Sequence, residues 1–291
     1  MQRSKTWIIF MAPTVVLILA MVIFPLIYSL WLSLHGWTIM TRTNPPFVGL
    51  ANYARVLTDP QFWYGLQVTV AILLIALTIE TVFAVAMAMF LARSDIVGRN
   101  VLRVLAFIPA LINPIATGYT FHLIFHPNGG AVNAILSWIA GTPVNIDWIG
   151  SPSTALVAII ATDVWQWTPF LTIVFLAARL GLPREPFEAA RVDRASPWQV
   201  FRRVTLPGLI PVIIVMLLIR GIDIFKLFDI IYAITGGGPG TATETLGYYT
   251  YLVGFNSFEL GYAAALSWVL VIILLIMATI LLRTAGRRLL A

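Results

Sequence analysis

Six long apolar runs dominate this chain and leave it few ways to fold. A helix needs about 20 mostly apolar residues to cross roughly 30 Å of hydrocarbon. Residues 7–34, 66–92, 101–125, 154–180, 208–234 and 261–282 all meet that length. Inside a bilayer each backbone N–H and C=O must be satisfied within the protein, so runs of this kind predict helices. Of the 291 residues, 60% are hydrophobic and 10% charged, against about 45–50% and 25% in soluble domains. With a mean hydropathy of +0.92, a soluble enzyme, a disordered regulator and a nucleic-acid-binding domain are all excluded. The absence of cysteine removes disulfides, thiolate metal sites and a thiol nucleophile, and leaves the redox compartment undecided. The expected class is an all-α integral membrane protein with six transmembrane helices in one domain, 1–291.

Arg3 and Lys5 precede the first run, as they would in a signal peptide. A signal core spans only about 7–15 residues and ends at a small-x-small site, which is missing here. The run therefore reads as a retained anchor. Basic residues set the orientation. Arg3 and Lys5, then Arg93, Arg99 and Arg103, then the six arginines of 179–203, then Arg283, Arg287 and Arg288 share one side. The opposite loops hold only Arg42 and Arg55, which places both termini in the cytoplasm. The acidic residues show no such preference, so the positive balance is an orientation signal and not a nucleic-acid patch.

On the outer side, 131–140 is apolar but too short to span, and is expected along the interface or against the bundle. On the inner side one connection is long, 181–207. Its apolar residues recur among arginines, which predicts two short amphipathic helices. Ser196, Pro197 and Gln199 supply a cap, a first-turn proline and a capping box for the second. Such a pair suits docking onto another protein, or lying on anionic lipid headgroups. From the residues alone both readings stay open.

Glu188-Ala189-Ala190, followed after thirteen residues by Val204-Thr205-Leu206-Pro207, resembles the EAA loop of permease subunits in binding-protein-dependent ABC importers. That pattern is E-A-A, three residues, Gly, nine residues, Ile-x-Leu-Pro. Here Arg194 replaces the glycine and Val204 the isoleucine. Asp163–Phe170, Phe228–Tyr232, Thr235–Gly240 with Ala242–Leu246, Ala12-Pro13 and Phe24-Pro25 extend the likeness along nearly the whole chain. They are most similar to permeases for di- and oligosaccharides, polyols and glycerol-3-phosphate. The resemblance implies a type I importer architecture in a prokaryotic inner or plasma membrane. It also implies a second, non-identical permease, two cytoplasmic ATPase subunits that bind ATP and Mg, and an extracytoplasmic solute-binding protein. Glu188, Ala189, Ala190, Asp193, Arg194, Leu206 and Pro207 would meet the ATPase, and Gly236, Gly237, Gly238 and Pro239 the binding protein.

This chain shows no nucleotide machinery of its own. The glycine run 236–240 lacks the Gly-Lys-Ser/Thr of a phosphate loop. His35, His122 and His126 have no metal-ligand spacing, and no nucleophile–base constellation is visible. No cofactor, metal or catalytic activity is therefore expected in the chain itself.

The fifth run carries Arg220, Asp223, Lys226 and Asp229 at steps of three. Ionised groups at bilayer depth cost at least about 2.5–3.5 kcal/mol each, so they must be paired or wet. One reading is a polar wall for sugar hydroxyls, with Arg220 and Asp223 favoured by depth. The other is an ion-pair ladder that fixes packing. Glu80 and Asp163 read as lone acids. Trp165 and Asn113 are further pathway candidates, with belt tryptophan and a Pro114 kink as their plain alternatives. An ion-coupled secondary transporter is the rival that could use the same charges.

Overall fold

The computed structural model describes residues 6–93 and 95–289, and every regular element among them is a helix. Arg3 and Lys5, used above for orientation, lie outside the described residues. Five helices are long and apolar enough to span: Phe10–Ser33, Pro60–Leu91, Pro152–Leu180, Pro197–Phe225 and Leu260–Arg283. A bent pair, Arg99–Leu111 with Pro114–Ile124, meets the same test when taken together, which makes six if the pair is one broken span rather than a re-entrant loop. The first span joins α1 (Thr6–Ile18) to α2 (Phe24–Ser33) through one wide π-type turn.

The chain divides into two compact units. One holds the residues up to Trp63 together with Tyr249–Leu275; the other holds Tyr64–Tyr248 and the segment from Ile276. In the first, the loop after α2 is tied down by backbone bonds from Gly36 to Pro46 (2.9 Å) and from Val48 to Leu34 (2.9 Å). It leads into α3 (Ala51–Thr58) and α4 (Pro60–Leu91). This unit also contains the end of α13 (Leu246–Tyr251) and the start of α14 (Leu260–Leu289).

The second unit corrects two of the expected spans. The run 101–125 is not one helix: α5 (Arg99–Leu111) and α6 (Pro114–Ile124) meet at 93°. Pro114 cannot donate to the preceding turn, and the break it makes is chemically closed. Asn113 caps α6 by accepting from the Ile115 amide at 2.9 Å, while the freed Ile112 carbonyl accepts from Gln166 Nε2 at 2.8 Å. The run 208–234 also breaks. α10 (Pro197–Val200) continues through a π-type turn into α11 (Leu206–Phe225), and α12 (Asp229–Ile234) begins only after a gap. Thr245 Oγ1 donates to the Leu227 carbonyl in that gap at 2.9 Å. Irregular backbone at this depth persists because protein groups replace the missing helical partners.

Packing in this unit relies on small residues. Ala84 and Ala88 of α4 are fully buried against Leu171 and Phe175 of α8 (Pro152–Leu180) and Met216 of α11. α6 packs on α12 so closely that a Cβ on Gly118 would lie 2.5 Å from that of Ala233. The short apolar segment forms α7 (Ala131–Ala140), ended by Gly141 at φ +66°. Buried Asn133 pins it by donating to the carbonyls of Pro127 (3.2 Å) and Ile146 (2.9 Å). Trp138 and Ile139 stay exposed, as an interfacial helix requires.

Candidate functional site

The connection 181–207 is built from α9 (Glu185–Val192) and the start of α10. Pro186 stands in the first turn of α9, and Glu185 and Glu188 place negative charge where the helix dipole favours it. The α10 start carries the full capping box: Gln199 N donates to Ser196 Oγ at 3.3 Å, and Ser196 N to Gln199 Oε1 at 2.7 Å. The second helix differs from the expected short one. It runs without interruption into the fifth span, so a push on this elbow acts on a transmembrane helix directly.

Between the two helices Arg194 adopts φ +53°. Its amide still donates to Arg191 O (3.1 Å), and Ala195 N to Ala190 O (2.9 Å), closing the C-terminus of α9. A left-handed residue with a Cβ costs on the order of 1–2 kcal/mol. Arg194→Gly should therefore stabilise the fold by a few tenths to about 1 kcal/mol after the extra unfolded-state entropy of glycine is counted, and so raise the melting temperature. Arg194→Val should lower it. A thermal melt of the three proteins in one detergent checks the order. Glu188, Ala189, Asp193 and Arg194 are exposed, Ala190 is half-buried, and Val192 is 84% exposed. A 420 Å³ cavity lies beside them, lined by Ala189, Ala190, Asp193, Gln199 and Arg203 among others. Leu206 is half-buried and Pro207 exposed at the start of α11.

The charges of the fifth span do not form one ladder. Arg220 is buried and turns away from Asp223. Its Nε donates to Glu80 Oε2 at 2.9 Å and its Nη2 to Glu80 Oε1 at 2.8 Å. Nη2 also donates to Asp163 Oδ2 at 2.5 Å, and the guanidinium lies 4.9 Å from the Trp167 ring centre. One cation thus joins α4, α8 and α11. Asp223 and Lys226 do pair, at 3.2 Å, but remain 39% and 59% exposed. Asp229 belongs to α12, beyond the break. Trp165 is 42% exposed and packs on Phe121, with ring centres 5.0 Å apart.

The glycine run 236–240 is an ordered turn with Gly236, Gly237 and Gly240 at φ +58°, +84° and +60°. Thr243 fastens it, its hydroxyl donating to the Gly238 carbonyl at 2.8 Å and its amide to that of Gly237 at 3.1 Å. Gly237 is buried beside Tyr248, where a Cβ would lie 2.7 Å from the ring. Gly236 is exposed, and Gly238 and Pro239 are half-buried.

A separate network lies wholly within the first unit. Asp59 Oδ2 accepts from the hydroxyls of Tyr249 (2.5 Å) and Tyr262 (2.6 Å), and Oδ1 from the Gln61 amide (2.9 Å). Arg55 pairs with Glu259 and stacks over the Tyr262 ring at 4.0 Å. Partial burial opposes ionisation of Asp59, but the tyrosine and amide donors outweigh it and hold the carboxyl below its ordinary range. Because folding depresses this pKa, the associated stability is complete above about pH 4 and is lost as pH falls through the folded value. Asp59→Asn should melt lower than the parent at neutral pH and lose less on acidification. Melting curves across that range test both.

Residues 3–289 match the family described as "Binding-protein-dependent transport system inner membrane component". The chain belongs to this family. The trehalose/maltose transport system permease protein MalF of Thermococcus litoralis is 37% identical over 289 residues, covering 98% of this chain and 95% of that protein. The trehalose transport system permease protein SugA of Mycobacterium tuberculosis is 34% identical over 268 residues, covering 92% and 84%. The fold matches a chain of a bacterial alginate ABC transporter solved with an alginate pentasaccharide-bound periplasmic protein. There the TM-score is 0.84 at 21% identity, over 98% of this chain and 96% of that one.

The permease is thus a multi-pass inner-membrane protein, and its intramembrane charges can be read in that light. Glu80 and Asp163 looked solitary because their partner lies 140 and 57 residues away. A usable signal existed: a cation deep in one apolar run requires anions, and the runs of this permease offer just these two outside the fifth. The Asp59 network had no such signal, since tyrosines and an arginine near helix ends carry no pairing rule.

Proposed function

We propose that this permease is one of two non-identical membrane subunits of an ATP-driven carbohydrate importer. Two cytoplasmic ATPase subunits would bind ATP and Mg, an extracytoplasmic binding protein would deliver the sugar, and this chain would catalyse nothing itself. The observation that carries the reading is the exposed α9 elbow, Glu188-Ala189-Ala190 with left-handed Arg194, continuous through α10 with a spanning helix. The sugar assignment is supported by the relatives named for trehalose and maltose transport.

ATP-driven closure of the partner subunits would move α9, and rigid rocking of the helices would alternate access to a midplane path. The path roles fall to Asp223, Lys226, Asp229, Asn113 and Trp165, while Arg220 positions the helices around them. The outer turn with Gly236, Gly238 and Pro239 would meet the binding protein, Gly237 shaping it from beneath.

The assembly, reconstituted in vesicles with its binding protein, should take up a labelled disaccharide only when ATP is supplied on the α9 side. Uptake that ignores ATP and collapses with an ion gradient would establish a secondary transporter instead. Asp223→Asn should weaken apparent sugar affinity about tenfold, the value of one charge-assisted hydrogen bond near 1.5 kcal/mol. Unchanged kinetics over a panel of sugars would reduce Asp223 to partnering Lys226.

A further inference from the structure

The segment 197–205 has two occupied faces, and only one belongs to the elbow described above. Gln199, Arg203 and Val204 face the cavity beside α9. Pro197, Trp198, Phe201 and Thr205 face the other way, into a second cavity of about 580 Å³. Its remaining walls are Met89 in the last turn of α4, Ala92 and Arg93 just beyond it, Arg179 at the end of α8, and Ala195 and Val200, which line the cavity beside α9 as well. Three helices long and apolar enough to span therefore end or begin around it.

The lining fits an amphiphile. Met89, Ala92 and Phe201 offer an apolar wall, and exposed Trp198 stacks on Phe201 with ring centres 5.4 Å apart, as interfacial tryptophans do. Two guanidiniums stand at the rim. Arg179 lies over the Phe187 ring at 4.0 Å and has no carboxylate within ion-pairing distance among the described residues. Arg93 engages Asp95 through Nε (3.0 Å) and Nη2 (2.6 Å) in an exposed pair. Arg103 donates to the Leu91 carbonyl at 2.8 Å, so the negative end of α4 is already countered by a third cation.

We propose that an anionic phospholipid occupies this cavity, its phosphate held by Arg93 and Arg179 and its chain laid along Met89, Ala92 and Phe201. The lipid backs the segment whose other face carries the elbow. Basic pockets between spanning helices at the cytoplasmic surface select headgroups by charge, each cation contributing about 1 kcal/mol. The assignment does not depend on which solute the permease carries.

The test uses the full chain, purified with the companions it retains, from phosphatidylcholine vesicles doped with phosphatidylglycerol at about 20 mol%. Native mass spectrometry after detergent dilution should show phosphatidylglycerol held in preference to phosphatidylcholine. Arg179→Gln should reduce that preference about fivefold, which is about 1 kcal/mol expressed as a ratio, and Arg93→Gln with Arg179→Gln should abolish it. Ala92→Phe fills the cavity without changing charge and should displace the lipid as well, so a folding failure of the arginine variants leaves a second measurement. Arg202→Gln removes a neighbouring exposed arginine outside the lining and should have no effect. Equal retention of both lipids, an equal loss with Arg202→Gln, or retention of inorganic phosphate in place of lipid would overturn the proposal. So would loss of the lipid whenever an ATPase subunit is bound, which would make the cavity a protein interface.

Discussion

Arg220→Met should leave little folded permease in the membrane, the largest stability loss available from one side chain here. The guanidinium is 2% exposed and both of its carboxylate partners are fully buried. Removing it strands two anions in a dry helical core, and breaking even one buried pair costs about 3–5 kcal/mol. Whole domains are stable by only about 5–15 kcal/mol, so such a loss takes most of the margin. Glu80→Gln should cost much less, because Asp163 still accepts from Nη2 and the remaining charges sum to zero. Adding Glu80→Gln and Asp163→Asn to Arg220→Met should restore part of the loss, since no stranded charge remains. Residual monodisperse protein after a heating series, measured for the parent and all three variants, gives the order. An Arg220→Met protein that melts within about 0.5 kcal/mol of the parent would show the cluster to be a bystander.

The same cluster marks where the sequence stops being readable. Apolar length predicts spans because the bilayer enforces it residue by residue, and all six runs contain apolar helix, five of them in pieces long enough to cross unbroken. The break at Asn113-Pro114 was foreseeable, since proline removes a donor locally. The break after Phe225 was not. A three-residue spacing of Arg220, Asp223, Lys226 and Asp229 reads as one continuous helix, and the group that ends it, Thr245, arrives from a loop eighteen residues beyond the carbonyl it binds. Local chemistry was legible elsewhere: the Ser196–Gln199 capping box formed as written, and Arg194 took the left-handed angle of the glycine it replaces. Pairing across spans was not, because which faces of α4, α8 and α11 meet depends on buried alanines that carry no directional label.

Glu188→Lys should abolish ATP-driven uptake while leaving the permease inserted and folded. Glu188 is exposed in the first turn of α9 and makes no ion pair among the described residues. Reversing its charge against the helix dipole costs only about 0.3–1 kcal/mol locally, too little to unfold the chain. A partner that approaches closely enough to bury Ala189 and Ala190 would instead confront a desolvated lysine where a carboxylate was accommodated, a mismatch of several kcal/mol. Loss of uptake, loss of co-purifying ATPase and an unaltered melting curve should therefore occur together. Glu188→Gln separates charge from shape: it keeps the size, removes the repulsion and should retain part of the activity. Full uptake by the lysine variant, with the ATPase still bound, would place the coupling contact elsewhere on the inner surface and remove α9 from the mechanism.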